Sequence, residues 1–149
     1  MKGNEKVLAV LNDLLADELT AINQYMVHAE MADDWGYEKL AEAVEKRAIE
    51  EMKHAETLIG RLLFLEGVPV VSNLKAIHIG DIVEKQLKND RTSEAEAIDA
   101  YNKALRLASD VGDNGTHELL KKILLDEESH IDWLEAQLEQ INQIGIQNY

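Results

Sequence analysis

The sequence has no cysteine. That excludes disulfides, thiolate-bound zinc, iron–sulfur clusters and a thiol nucleophile. No apolar run approaches the roughly 18 residues of a membrane-spanning helix, so no membrane protein is expected. Basic residues are few: 15 Lys and Arg stand against 29 Asp and Glu, for a formal net charge of −14. So acidic a chain disfavours nucleic acid and anionic lipid and favours small cations. The opening "MKGNEKVLAV" carries no signal-type apolar stretch or cleavage site, and we expect a soluble, cytoplasmic protein. Proline occurs once, at Pro69, and glycine eight times, so few positions can break regular structure.

Between these breakers the chain is rich in Ala, Leu, Glu and Lys, all strong helix formers. Its 149 residues suit one domain, and 46% apolar content suffices for a core. Four helices are predicted, over about 5–33, 37–65, 81–111 and 116–144, with Asp81 and Thr116 as caps of the last two. "DWGY" (34–37) and "GDNG" (112–115) read as tight turns. They make helices one and two antiparallel, and likewise three and four. Each helix of roughly 28 residues is about 42 Å long. The stretch "EGVPVVSNLKAIHIG" (66–80) holds Pro69 and no helical apolar stripe. Extended, about 15 residues reach roughly 50 Å, the length of the bundle. The expected fold is all-α: a four-helix bundle with one long crossover between helices two and three and a short C-terminal tail. Residues 1–149 are expected to form a single domain.

Two Glu-x-x-His pairs occur, Glu51 with His54 and Glu127 with His130. At this spacing each pair shares a helix face. Alone the pattern is weak, because solvated Glu and His are common on helices. The context repeats, however. "EEMKHAETL" (50–58) aligns with "DEESHIDWL" (126–134) at an offset of 76, and "ELTAINQY" (18–25) aligns with "EAEAIDAY" (94–101) at the same offset. Glu18 thus corresponds to Glu94, Tyr25 to Tyr101, Glu51 to Glu127 and His54 to His130. One helical hairpin is used twice. In an antiparallel hairpin, residues equidistant from the turn lie side by side. Glu18 and Glu51 centre on position 34.5, and Glu94 and Glu127 on 110.5, so the four Glu are expected at one height. Each also interrupts the apolar stripe of its helix, as Glu18 does among Leu11, Leu14, Ile22 and Tyr25.

Four inward carboxylates repel one another and lose hydration, at several kcal/mol each unless compensated. Two divalent cations would compensate them, and carboxylate plus imidazole suits iron or manganese. Glu18, Glu51, His54, Glu94, Glu127 and His130 are therefore candidate ligands of a di-metal centre, one Glu from each of two helices and Glu-x-x-His from the other two. Tyr25 and Tyr101 follow Glu18 and Glu94 by two turns on the same face. They read as core tyrosines or as redox or supporting residues beside the metals. His28, His78 and His117 lack a repeated partner and read as structural or surface residues. Trp35 and Trp133 read as packing or interface residues. Met52 lies about 100° from Glu51 and about 160° from His54 around the helix. It should point away from the centre, most simply as an interface or packing methionine.

The chain resembles the bacterioferritins, the haem-containing branch of the ferritins. The resemblance runs through "ELTAINQYMVHAEM", "EEMKHAE", "LLFLEGVP", "DEESHIDWLE" and "GIQNY" and covers essentially the whole chain. It implies iron storage by a ferroxidase, with Glu18, Glu51, His54, Glu94, Glu127 and His130 as the di-iron ligands and Glu51 and Glu127 bridging the metals. It implies a hollow cage of 24 subunits built on twofold dimers and filled with ferric mineral. Met52 falls on the axial position of haem b, one haem per two subunits, and a small ferredoxin is implied as electron donor for iron release. Lys46 stands where some members carry a His for an accessory iron site on the inner wall, so that site is expected to be absent. Members usually continue several residues past Tyr149, residues that line a fourfold channel. The alternative on the same bundle is a di-metal redox enzyme without storage, manganese catalase-like or peroxide-reducing.

Overall fold

The computed structural model describes residues 1–149. Four long helices carry it: α1 over Glu5–Asp34, α2 over Glu38–Phe64, α3 over Val83–Asp110 and α4 over Asn114–Ile144. A short 3-10 turn, Ile146–Asn148, follows. The all-α bundle expected from the sequence is what forms. α1 pairs with α2 and α3 with α4, and the two hairpins meet chiefly along α1 and α3. Both hairpin turns use a glycine in the left-handed region, Gly36 at φ 87° and Gly112 at φ 77°, where a side chain would be strained. No helix is long and apolar enough to cross a membrane.

The helix starts differ from expectation at two places. Asp81 does not cap α3. The chain arrives extended, Ile82 takes the cap position without a side-chain bond, and Asp81 is exposed, 3.9 Å from Lys85. Nor does Thr116 cap α4. Asp113 does, accepting the Thr116 amide at 3.0 Å, because Thr116 is drawn inward and fully buried. The Thr116 hydroxyl donates to Asp113 at 2.6 Å, and Arg61 of α2 donates to both residues at 2.9 and 3.0 Å. Arg61 thereby ties the end of α2 to the start of α4.

The apolar core is interrupted. Its largest cluster includes Val7, Leu11, Leu14, Leu58, Leu62, Tyr101, Leu120 and Ile123. Two smaller clusters form elsewhere, one around Tyr25 and Val44, the other around Leu87, Leu134 and Ile141. Along α2, α3 and α4 a polar segment separates the large cluster from the small ones, and on α1 the two meet just beyond Glu18, at Ala21 and Ile22.

The crossover, residues 65–82, lies against α1 and takes its hydrogen bonds from a polar ladder. Asn12 donates to the Val68 carbonyl at 3.1 Å and accepts from the Val70 amide at 2.8 Å. Thr20 accepts from the Lys75 amide at 2.9 Å, Gln24 from His78 at 3.1 Å and His28 from Gly80 at 3.0 Å. These α1 residues are spaced by multiples of four, so one face of the helix satisfies an otherwise unpaired strand of backbone. His28 is fully buried. Its Nε2 accepts from Gly80, so Nδ1 carries the proton and donates to Asp90 at 2.8 Å. Asp90 also accepts from Gln24 at 2.8 Å. This joins the crossover, α1 and α3.

Candidate metal centre

At mid-bundle each helix turns one carboxylate inward: Glu18, Glu51, Glu94 and Glu127, each no more than 2% exposed. His54 and His130, one turn beyond Glu51 and Glu127, point to the same place and are also buried. One donor atom from each of Glu18, Glu51, His54 and Glu127 lies within 4.8 Å of the others, and the same holds for Glu51, Glu94, Glu127 and His130. Glu51 and Glu127 belong to both groups. The common height expected of the four Glu and the inward direction expected of all six residues are therefore observed. They form two adjacent donor sets, each able to hold one cation.

The imidazoles reach the carboxylates through Nδ1. His54 Nδ1 lies 2.8 Å from Glu127, 3.3 Å from Glu51 and 3.7 Å from Glu18. His130 Nδ1 lies 3.0 Å from Glu51, 3.7 Å from Glu94 and 3.8 Å from Glu127. The other nitrogen of each ring faces outward to a further carboxylate. His54 Nε2 meets Asp126 at 3.0 Å, and His130 Nε2 meets Glu50. A proton held at Nε2 by these acceptors leaves the Nδ1 lone pair for a metal, the arrangement that orients imidazole ligands in carboxylate–histidine–metal sites.

Tyrosines hold the remaining carboxylates. Tyr25 donates to Glu94 and Tyr101 to Glu18, both at 2.6 Å. Each of these contacts crosses between hairpins. A residue of one hairpin braces a donor of the other, for Tyr25, Tyr101, Glu50 and Asp126 alike. Arg47, which breaks the apolar stripe of α2, donates to the His130 carbonyl at 3.2 Å and stacks on Trp133 at 5.4 Å.

The protonation pattern follows from crowding. Burial, then the neighbouring Glu18 and Glu127, push Glu51 well above the usual carboxylate range. Burial and Glu127 do the same to Glu94. Burial would also raise Glu127, but hydrogen bonds from Glu94, His130 and His54 hold it well below that range. Burial would lower both histidines. The carboxylates outweigh it, Glu127 and Glu18 pushing His54 up to about 11, and Glu127, Glu51 and Glu94 pushing His130 up to about 12. The metal-free cluster thus gathers protons around its negative charge. Even so, no well-directed hydrogen bond reaches Glu18 Oε2, Glu51 Oε1, Glu94 Oε2, Glu127 Oε1 or His130 Nδ1, all buried, although Glu127 Oε1 and Glu51 Oε1 lie at ion-pair distance from His54 and His130. Such orphans are costly and uncommon, and here all belong to the two donor sets. Cations would satisfy them and replace the protons.

A cleft of about 320 Å³ leads to the cluster, lined by Glu18, Glu51, Glu94 and Glu127 within and by residues such as Asp17, Lys75 and Glu96. Residues 8–144 match the ferritin-like domain of the Ferritin family. All 149 residues align at 40% identity with the bacterioferritin of Mycolicibacterium paratuberculosis, covering 94% of that protein. The bacterioferritins of Brucella melitensis and Rhodobacter capsulatus align over the whole chain at 40% and 39%, with 92% of each covered. The chain belongs to the bacterioferritin family.

Among bacterioferritin features anticipated from the sequence, Met52 is half exposed on the outer side of α2 and does not approach the donor sets. Lys46 is exposed. Glu50 and Asp126 escaped the sequence reading, although the 76-residue offset aligns them as it aligns the histidines. They stand one residue before Glu51 and Glu127, on a different face of the helix, so only the packing of α2 against α4 reveals what they touch.

Proposed function

We propose that this chain stores iron and oxidises Fe(II) to Fe(III) as it does so. Membership of the ferritin family supports storage. One observation carries the ferroxidase: two buried donor sets that share Glu51 and Glu127. In this reading Glu18 and His54 complete one iron position, Glu94 and His130 complete the other, and Glu51 and Glu127 bridge. Fe(II) is the substrate. Two ferrous ions held side by side can each give one electron to a shared oxidant, dioxygen or peroxide. Hard anionic carboxylates favour the ferric product. Glu50 and Asp126 keep the imidazoles in register, while Tyr25 and Tyr101 fix Glu94 and Glu18.

Exposed Met26, Val27, Ile49, Met52, Leu63 and Phe64 on α1 and α2 support burial of this face in an assembly. The assembly proposed is a cytoplasmic, 24-subunit homo-oligomeric cage built on twofold dimers. A twofold axis would set Met52 opposite its own copy. The paired Met52 thioethers would hold haem b there, one per two subunits, and when bound it would supply electron transfer. A small ferredoxin is the proposed electron source for iron release.

Stopped-flow oxidation of ferrous iron tests the centre. His130→Ala should abolish the rapid phase with helicity unchanged, and an unchanged rate would sink the assignment. Size-exclusion mass tests the cage, and a monodisperse dimer would count against it. Met52→Ala should lose haem yet still assemble and oxidise iron.

A further inference from the structure

The cleft that leads to the donor sets carries one lysine. Of its lining residues, Lys75 alone is a Lys or Arg, while Asp17, Glu18, Glu51, Glu94, Glu96 and Glu127 bring six carboxyl groups. The lysine comes from the crossover, and α1 sets its position. Its backbone amide donates to Thr20 Oγ1 at 2.9 Å, and the Thr20 hydroxyl in turn donates to the Ala16 carbonyl at 2.7 Å. From that anchor the side chain reaches back along α1. Its Nζ lies 3.0 Å from Asp13 and 2.5 Å from Asp17. Asp13 and Asp17 stand one helical turn apart, and Asp17 is the residue before Glu18. Exposure marks this as the solvent end: the Lys75 side chain is 45% exposed and that of Asp13 61%, against 2% for Glu18.

We propose that Lys75 controls cation access to the centre, its ammonium sitting among the carboxylates at the mouth of the cleft where an incoming divalent ion would first be held. The inference rests on reading the cluster as an iron centre supplied through this cleft. Lys75 acts in two ways. It neutralises one of the mouth carboxylates, and it repels a doubly charged ion at short range. It touches neither the donor sets nor their bracing residues, so it should govern how readily iron arrives and not how fast bound iron reacts. Near a surface both effects are moderate and screened by salt.

The experiment measures initial rates of ferrous oxidation by the assembled full-length protein, with ferrous sulfate varied at low and high ionic strength. Lys75→Met should lower the half-saturating iron concentration roughly three- to tenfold at low salt, with the saturating rate unchanged. High salt should shrink the difference. Lys75→Arg, which keeps the charge, should behave as the wild type. Lys75→Gln provides a second neutral side chain should the Met variant not assemble. An unchanged or raised half-saturation in the neutral variants overturns the inference, as does an equal change in Lys75→Arg. If the wild type itself shows no saturable oxidation, the reading of the centre fails and Lys75 has nothing to control. If the wild type oxidises iron and only the charge dependence is missing, the inference about Lys75 fails alone.

Discussion

The Tyr101 hydroxyl donates to Glu18 at 2.6 Å across the interface between the two hairpins. Its partner by the repeat, Tyr25, returns the contact to Glu94 at the same distance. Glu50 and Asp126 cross in the same sense to His130 and His54. Neither hairpin therefore completes its own donors. The centre exists only once the two hairpins dock.

Tyr101→Phe should remove the one hydrogen bond to Glu18 Oε1 and leave a buried carboxylate oxygen bare. The expected loss is about 1–3 kcal/mol of stability in the metal-free protein. Thermal melts with and without zinc would measure it, and zinc should recover part of the loss by satisfying Glu18 directly. A variant as stable as the wild type would show that this contact is not needed.

Asp126→Ala should free the His54 ring to turn. Loss of such a partner lowers metal affinity by about 10–100-fold. Cobalt titration followed in the visible range should show one weakened position and one nearly unchanged, because His130 keeps Glu50. Equal weakening of both positions would contradict the separate bracing of the two imidazoles.

Stability and metal binding should move in opposite directions with pH. The histidines, raised from the ordinary 6.5 to about 11 and about 12, bind protons more tightly in the folded chain. Their contribution is fully present below pH 6.5 and is lost as pH rises through the folded values. Raised Glu51 and Glu94 act in the same sense, and lowered Glu127 in the opposite one. The metal-free protein should therefore melt lower at about pH 10 than at about pH 7. Zinc affinity should rise over the same interval, because the ion must displace those protons. Calorimetry in buffers of different ionisation enthalpy should detect the protons released.

Gly80→Ala should unseat the end of the crossover. A methyl group there would stand 2.4 Å from the Gln86 backbone nitrogen, a contact that only movement of the chain can relieve. The movement would break the Gly80 bond to His28, at a combined cost of about 2–4 kcal/mol. Hydrogen exchange should speed up at the amides of Lys75, His78 and Gly80, while the α2 and α4 cores stay protected. Unchanged exchange would mean that the crossover is held elsewhere.

The helices, their pairing into hairpins, the long crossover and the convergence of Glu18, Glu51, His54, Glu94, Glu127 and His130 were legible from the sequence. All depend on local rules: a 3.6-residue period, glycine at the turns, and the geometry by which residues equidistant from a turn come level. The 76-residue repeat carried the argument from one hairpin to the other. Local rules say nothing of side chains that act only across a docked surface. Asp113 displaced Thr116 as a cap because Arg61, from a different helix, draws both residues together. Asn12, Thr20, Gln24 and His28 look like ordinary polar breaks in α1 until the crossover backbone lies against them. Glu50, Asp126 and Lys75 look like solvated charges until their partners arrive from residues 58 to 80 positions away, and it is that three-dimensional approach that turns a solvated charge into a working contact.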